Sequence, residues 1–169
     1  MERPGPAEYN EFYAGYVTKA DADPVAQLER QCAEVRAFQT LGDERAAVPP
    51  LPGEWSAKQI LGHLCDAERI FSYRALRVAR DDALPLHGFE QNDYVAAAES
   101  NDRPLADLVE EFVALRRATV MLFRSFTDTM VARQGNASGH PVTARALVFI
   151  TAGHCEGHLA DIRRDYPMA

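Results

Sequence analysis

Residues 56–80, SAKQILGHLCDAERIFSYRALRVAR, decide how the chain is read. Ser56 and Gln59 form an S-x-x-Q pair in which the serine oxygen takes an orphan amide and the glutamine reaches back to the cap. From there Ile60, Leu61, Leu64, Ala67, Phe71 and Leu76 repeat at helical spacing as far as Arg80, while Arg69, Arg74 and Arg77 fall largely elsewhere around the cylinder. The pattern predicts a long amphipathic helix with one buried face. His63 stands between Ile60 and Leu64 on that face.

Working outward, AAVPPLPGEW (46–55) has three prolines and a glycine in ten residues and must be a connection. Before it, Asp23-Pro24 starts a helix running to about 41, with Val25, Leu28, Cys32, Val35 and Phe38 in register. Further upstream Tyr9, Phe12, Tyr13 and Tyr16 at i, i+3, i+4, i+7 predict a short N-terminal helix with four rings on one side. After the deciding stretch, residues 81–102 form a long mixed connection, with a short helix expected over 92–98. Pro104 then opens a third long helix ending near Phe126. ARQGNASGHP (132–141) reads as the last connection, and Thr143 begins a fourth helix carrying Leu147, Ile150, Thr151, His154, His158 and Ile162 along one face. No strand-like alternation competes, so the expected fold is all-α, a four-helix bundle. Its 169 residues suit one domain over 1–169.

Composition narrows the function classes. Hydrophobic residues at 47% and charged residues at 25% are ordinary for a folded globule. A formal net charge of −7 argues against nucleic acid, whose phosphates need clustered positive charge. No apolar run approaches the roughly 20 residues that span a bilayer, and MERPGPAEYNEF lacks a signal-type segment, so a cytoplasmic location is expected and a membrane partner is not. Cys32, Cys65 and Cys155 are odd in number and widely spread, which suggests neither a disulfide framework nor a cysteine metal site.

His154 and His158 lie four apart on a helix, where i, i+4 side chains share a face and two imidazoles can converge. Taken alone, such a pair reads more readily as two solvated side chains. Both, however, continue the apolar stripe from Leu147 and Ile150, where an unpartnered ring incurs a desolvation cost. His63 faces inward too. Three inward histidines favour a shared divalent ion, whereas His87 and His140 sit in connections beside glycine or proline and are expected to be solvent-exposed.

GEWSAKQILGHLCDAER (53–69), followed late in the chain by AGHCEGHL (152–159), resembles the DinB/YfiT-like metalloenzyme family over almost the whole length. The resemblance implies a bundle of up-down-down-up topology, frequently a homodimer, with zinc or nickel bound at the positions of His63, His154 and His158. It implies enzymes using low-molecular-weight thiols such as bacillithiol or mycothiol, beside members with no established reaction. Two departures stand out: Gln59 replaces a frequent glutamate, and Gly157 stands where relatives often carry a further histidine.

Three neutral imidazoles would leave the ion its full charge and an open position, the catalytic pattern. A metal-dependent thiol transferase and a metal-dependent hydrolase both suit such a site, and a non-catalytic metal-binding stress or interaction protein is the third reading. Asp66, one turn after His63, is the carboxylate expected to orient that ring and is the candidate catalytic residue; Glu68, Glu156 and Asp161 read as surface charge. Trp55 is expected to pack as a staple. Residues 84–94, with His87, Phe89 and Tyr94, are the expected source of substrate contacts. The aromatic stripe of Tyr9, Phe12, Tyr13 and Tyr16, larger than one small bundle need cover, adds to the expectation of a homodimer.

Overall fold

The computed structural model describes residues 1–167. Its helices are α1 (Ala14–Lys19), α2 (Pro24–Ala37), α3 (Asp43–Ala46), α4 (Ala57–Ala79), α5 (Gln91–Ala97), α6 (Leu105–Arg124), α7 (Asp128–Val131) and α8 (Ala144–Asp165). A hairpin of β1 (Gln134–Ala137) and β2 (His140–Thr143) precedes α8. Each long helix starts where the residues require it. Ser56 Oγ accepts from the Gln59 amide while the Gln59 side chain accepts from the Ser56 amide, and Asp23 and Thr143 cap α2 and α8 by accepting from the Ala26 and Ala146 amides. Gln59 is therefore occupied in holding the start of α4.

α2, α4, α6 and α8 form the bundle, and the residue pairs between them give its direction. Glu29 meets Arg124 and Arg36 meets Glu110, so α2 and α6 are antiparallel. Gln31 bonds the Ala152 carbonyl and Glu34 pairs with Arg163, so α2 and α8 run together. Cys65 lies by the Leu108 carbonyl and Arg69 by Glu111, so α4 and α6 are parallel. The order is up-down-down-up. Parallel succession of α4 and α6 requires a long crossover, and residues 80–104, with α5 inside them, provide it.

The apolar core falls into two clusters. One is built around Leu28, Phe71, Phe123, Phe149 and Ile150, the other around Phe38, Leu61, Phe112, Leu159 and Ile162. Between them lies a polar belt. Arg116, fully buried, is held by both oxygens of Glu68 at 2.8 and 3.0 Å, by Gln31 Oε1 at 2.7 Å and against the Phe112 ring. Glu68, expected on the surface, is thus a core residue, because only a buried carboxylate can neutralise this guanidinium.

Two local expectations are corrected. Tyr9 to Tyr16 is not one helix: 3-10 turns at Pro6–Glu8 and Glu11–Tyr13 lead into α1. The segment 132–141 is not a plain connection either, since Gln134 pairs with Thr143 and Ala137 with His140 across a two-residue turn. Ser138 and Gly139 both have positive φ, 54° and 83°, which matches the right-handed strand twist that a tight hairpin needs. The crossover docks on this hairpin, with the Leu86 amide donating to the Asn136 carbonyl and the Ser138 amide to Leu86.

Candidate metal centre

α4 and α8 are antiparallel neighbours, so an early residue of one meets a late residue of the other. His63 comes to face His154 and His158 in this way. The ring centroids are 5.0 Å apart for His63 and His154, 4.9 Å for His63 and His158, and 4.7 Å for the i, i+4 pair. One nitrogen from each ring lies within 4.8 Å of the other two, and the Nε2 atoms of His63 and His154 are 3.1 Å apart. His63 and His154 are buried and His158 nearly so.

Burial decides their protonation. It lowers His63 to about 4, with the His158 charge adding to the effect. It holds His154 well below its ordinary range, with His158 and His63 contributing, and depresses His158 as well, against a smaller opposing pull from Asp161. All three rings are therefore neutral near pH 7 and keep a lone pair for a Lewis acid. Cys65 and Cys155, beside the ligand positions in sequence, are pushed up to about 12 by burial and remain thiols, unsuited to ligation. The donor set is three neutral nitrogens and no anion, and it fits a divalent ion with an open position.

Surroundings were harder to read from the sequence. Asp66 lies 3.7 Å from Arg69, and its pKa is raised by burial and by Glu111. His63 Nδ1 is buried without any hydrogen-bond partner, so Asp66 does not orient it. Asp66 is turned instead toward Arg69 and toward Glu111 of α6. The carboxylate nearest a ring of the triad is Asp161, whose Oδ2 is 3.8 Å from His158 Nδ1. Trp55 does more than staple. Its indole is 4.9 Å from the His63 ring and stacks over His158 at 6.1 Å.

Cavities open on both sides of the histidines. One, about 350 Å³, is walled by Phe12, Tyr13, Tyr16, Phe71 and Phe89 with His63 and His154 at its base. Tyr16 stands edge-on to His154 at 5.1 Å. The other, about 290 Å³, is bounded by Trp55, His158, Asp161 and Arg164. Of the 84–94 segment, Phe89 to Asn92 reaches the first cavity, whereas exposed His87 does not.

A four-helix bundle carrying a buried cluster of three neutral histidines is the class that this fold and site define. The chain belongs to the DinB superfamily, whose family model matches residues 27–162. Its fold is shared by YfiT from Bacillus subtilis, described as a probable metal-dependent hydrolase with an unusual four-helix bundle topology, at a TM-score of 0.76 and 16% identity over 98% of this chain and 94% of that one. A mycothiol-dependent maleylpyruvate isomerase is similar at a TM-score of 0.67 and 11% identity, covering 82% of this chain and 59% of the isomerase. Among curated proteins none matches the sequence. No helix of the described residues is long and apolar enough to cross a membrane.

Proposed function

We propose that this chain is a metal-dependent enzyme that holds one divalent ion, zinc or nickel, through His63, His154 and His158 and uses a low-molecular-weight thiol in an S-transferase reaction. The observation that carries the reading is the convergence of three neutral imidazoles, two buried and one nearly so, with His63 and His154 lining an aromatic cavity. A closed structural site would be expected to complete its coordination from the protein, and among the described residues no cysteine or carboxylate joins this cluster.

A divalent ion bound there supplies positive charge that favours a thiolate or hydroxide over its conjugate acid. The chain's own residues do the rest. Tyr13, Tyr16 and Phe71 wall the cavity with rings that exclude water and bury the apolar part of a substrate. Trp55 limits how far His63 and His158 can turn. Tyr16, its pKa raised by burial, keeps its phenolic proton and can donate a hydrogen bond to an oxygen on the substrate. A metal-dependent hydrolase is the second reading, supported by the fold shared with YfiT and its description.

Cobalt-substituted protein titrated with bacillithiol, mycothiol, glutathione and cysteine separates them. The transferase reading expects a sulfur-to-metal charge-transfer band with at least one thiol. If no thiol alters the spectrum while esters or amides are cleaved, the hydrolase takes its place.

A homodimer remains part of the proposal on the family resemblance alone. Tyr13 packs edge-on against Phe71, Tyr16 against His154, and Tyr9 against the core, so three rings of the N-terminal stripe are used within the chain. Only Phe12 is left largely exposed, at 69%.

A further inference from the structure

Three cationic side chains are buried among the described residues: Lys58, Arg74 and Arg116. Two have carboxylates. Lys58 Nζ lies 2.6 Å from Asp43, and Arg116 is clasped by both oxygens of Glu68. Arg74, only 3% exposed, has none. Its hydrogen bonds among the described residues both leave from Nη2, to the His87 carbonyl at 2.7 Å and to Ser138 Oγ at 3.3 Å, and its guanidinium lies 5.9 Å from the Phe89 ring centroid. Neutral acceptors and a ring face soften the desolvation of a buried charge but do not neutralise it. Nε and Nη1 make no hydrogen bond, yet neither is sealed in the way His63 Nδ1 is, so both open on adjoining space.

That space is a cavity of about 290 Å³ between α4 and the crossover, lined by Ile70, Tyr73, Arg74, His87, Phe89 and Tyr94. The other cation at its edge, Arg77, is already engaged by Asp82 and by the Tyr73 hydroxyl. Arg74 is therefore the uncompensated charge here. Phe89 is also a wall of the cavity over His63 and His154, so the two spaces share one ring. On α4, Arg74 follows His63 by eleven residues, which returns it to the same helix face about 16 Å along.

We propose that the Arg74 cavity seats a carboxylate of the small-molecule substrate, whose other end reaches past Phe89 to the histidine cluster. The guanidinium keeps free N–H groups at Nε and Nη1, either of which can donate to a carboxylate oxygen, and the carboxylate supplies the negative charge that this buried cation lacks. Tyr73, Phe89 and Tyr94 suit an apolar or aromatic chain attached to that carboxylate. The seat itself is independent of the metal reading; only the position of the other end rests on it.

The test uses the whole, metal-free chain labelled with nitrogen-15 and two probes of one shape, 4-phenylbutanoate and 4-phenylbutanamide. The acid is expected to shift amides of residues 70–77 and 84–90 and to bind at least tenfold more tightly than the amide. Arg74→Gln should erase that preference and Arg77→Gln should keep it. Should Arg74→Gln fail to fold, protection of Arg74 from phenylglyoxal by the acid, read by mass spectrometry on the unaltered chain, gives the same decision. Equal binding of acid and amide, or shifts confined to the triad, would overturn the seat. On cobalt-loaded protein, paramagnetic broadening should be stronger at the phenyl protons than beside the carboxylate; the reverse order refutes the span. A chain that takes no cobalt but still prefers the acid removes the metal reading and leaves the seat intact.

Discussion

Asp66 and Asp161 show how narrow the margin is between a carboxylate that supports a metal site and one that does not. Both are one turn from a histidine of the cluster, but Asp66 is turned to Arg69 and Glu111 while Asp161 approaches His158 Nδ1 at 3.8 Å. Asp66→Asn is therefore expected to leave zinc or nickel affinity within about threefold, and Asp161→Asn, which removes the carboxylate beside the His158 ring, to weaken it by roughly tenfold, the low end of the 10–100-fold that losing a hydrogen-bonded partner of a ligand ring costs. His154→Ala should abolish binding. Equilibrium dialysis with elemental analysis reads all three, and a tenfold loss at Asp66 would restore it to the site. Protonation offers a second test at this scale. His63 titrates near its ordinary 6.5 when unfolded and at about 4 when folded, so the unfolded chain binds more protons between those values. Stability of the metal-free protein is then flat above about pH 6.5 and falls as pH drops towards 4. At about 1.4 kcal/mol per pH unit, His63 alone accounts for on the order of 3 kcal/mol, and His154 and His158 add in the same direction. Urea midpoints across that window measure it; a flat profile would mean the rings are not held neutral by burial.

Among elements, the seam between α1 and α8 sets the geometry of the aromatic cavity. A Cβ on Gly153 would stand 1.8 Å from the Tyr16 carbonyl oxygen, so the two backbones can touch only because that side chain is absent. The close approach carries Tyr16 onto the neighbouring His154. Gly153→Ala is expected to destabilise the protein by roughly 1–3 kcal/mol, since a methyl forced into packed backbone must displace it. It should also open the cavity wall. Thermal unfolding together with Tyr16 ring-proton shifts would reveal this, and an unchanged midpoint would contradict the contact. The crossover shows the same dependence. Its Leu86 bonds to the hairpin, and Ser138 at the hairpin turn bonds Arg74, so the hairpin braces the cavity that α4 and the crossover line.

Across the whole molecule, the polar belt divides the core and ties all four long helices at one level: Gln31 on α2, Glu68 on α4, Arg116 on α6 and the Ala152 carbonyl on α8. Breaking one partner of a buried pair leaves an uncompensated charge, so Glu68→Gln should cost about 3–5 kcal/mol. Replacing both partners, Glu68→Leu with Arg116→Met, should cost far less or nothing. A double variant as unstable as the single one would show that the belt supplies more than charge compensation.

The four long helices, the caps of α2, α4 and α8 and the inward placement of His63, His154 and His158 were legible in the sequence, because apolar periodicity and capping chemistry act within one or two turns of chain. The prediction of α4 from Ser56 and of α8 from Thr143 needed no partner. The partners of Asp66, Glu68, Trp55 and Arg74 were not legible, and neither was the turn at Ser138-Gly139. Arg74 reads as a wet residue of α4 because it is charged, although its eleven-residue offset shares the His63 face, and it is buried because a crossover and a distant hairpin lie over it. Whether a charged side chain is wet or dry depends on what the rest of the chain places above it, and local spacing carries no record of that. Tertiary packing alone decided which carboxylate met which cation, and which buried cation was left without one.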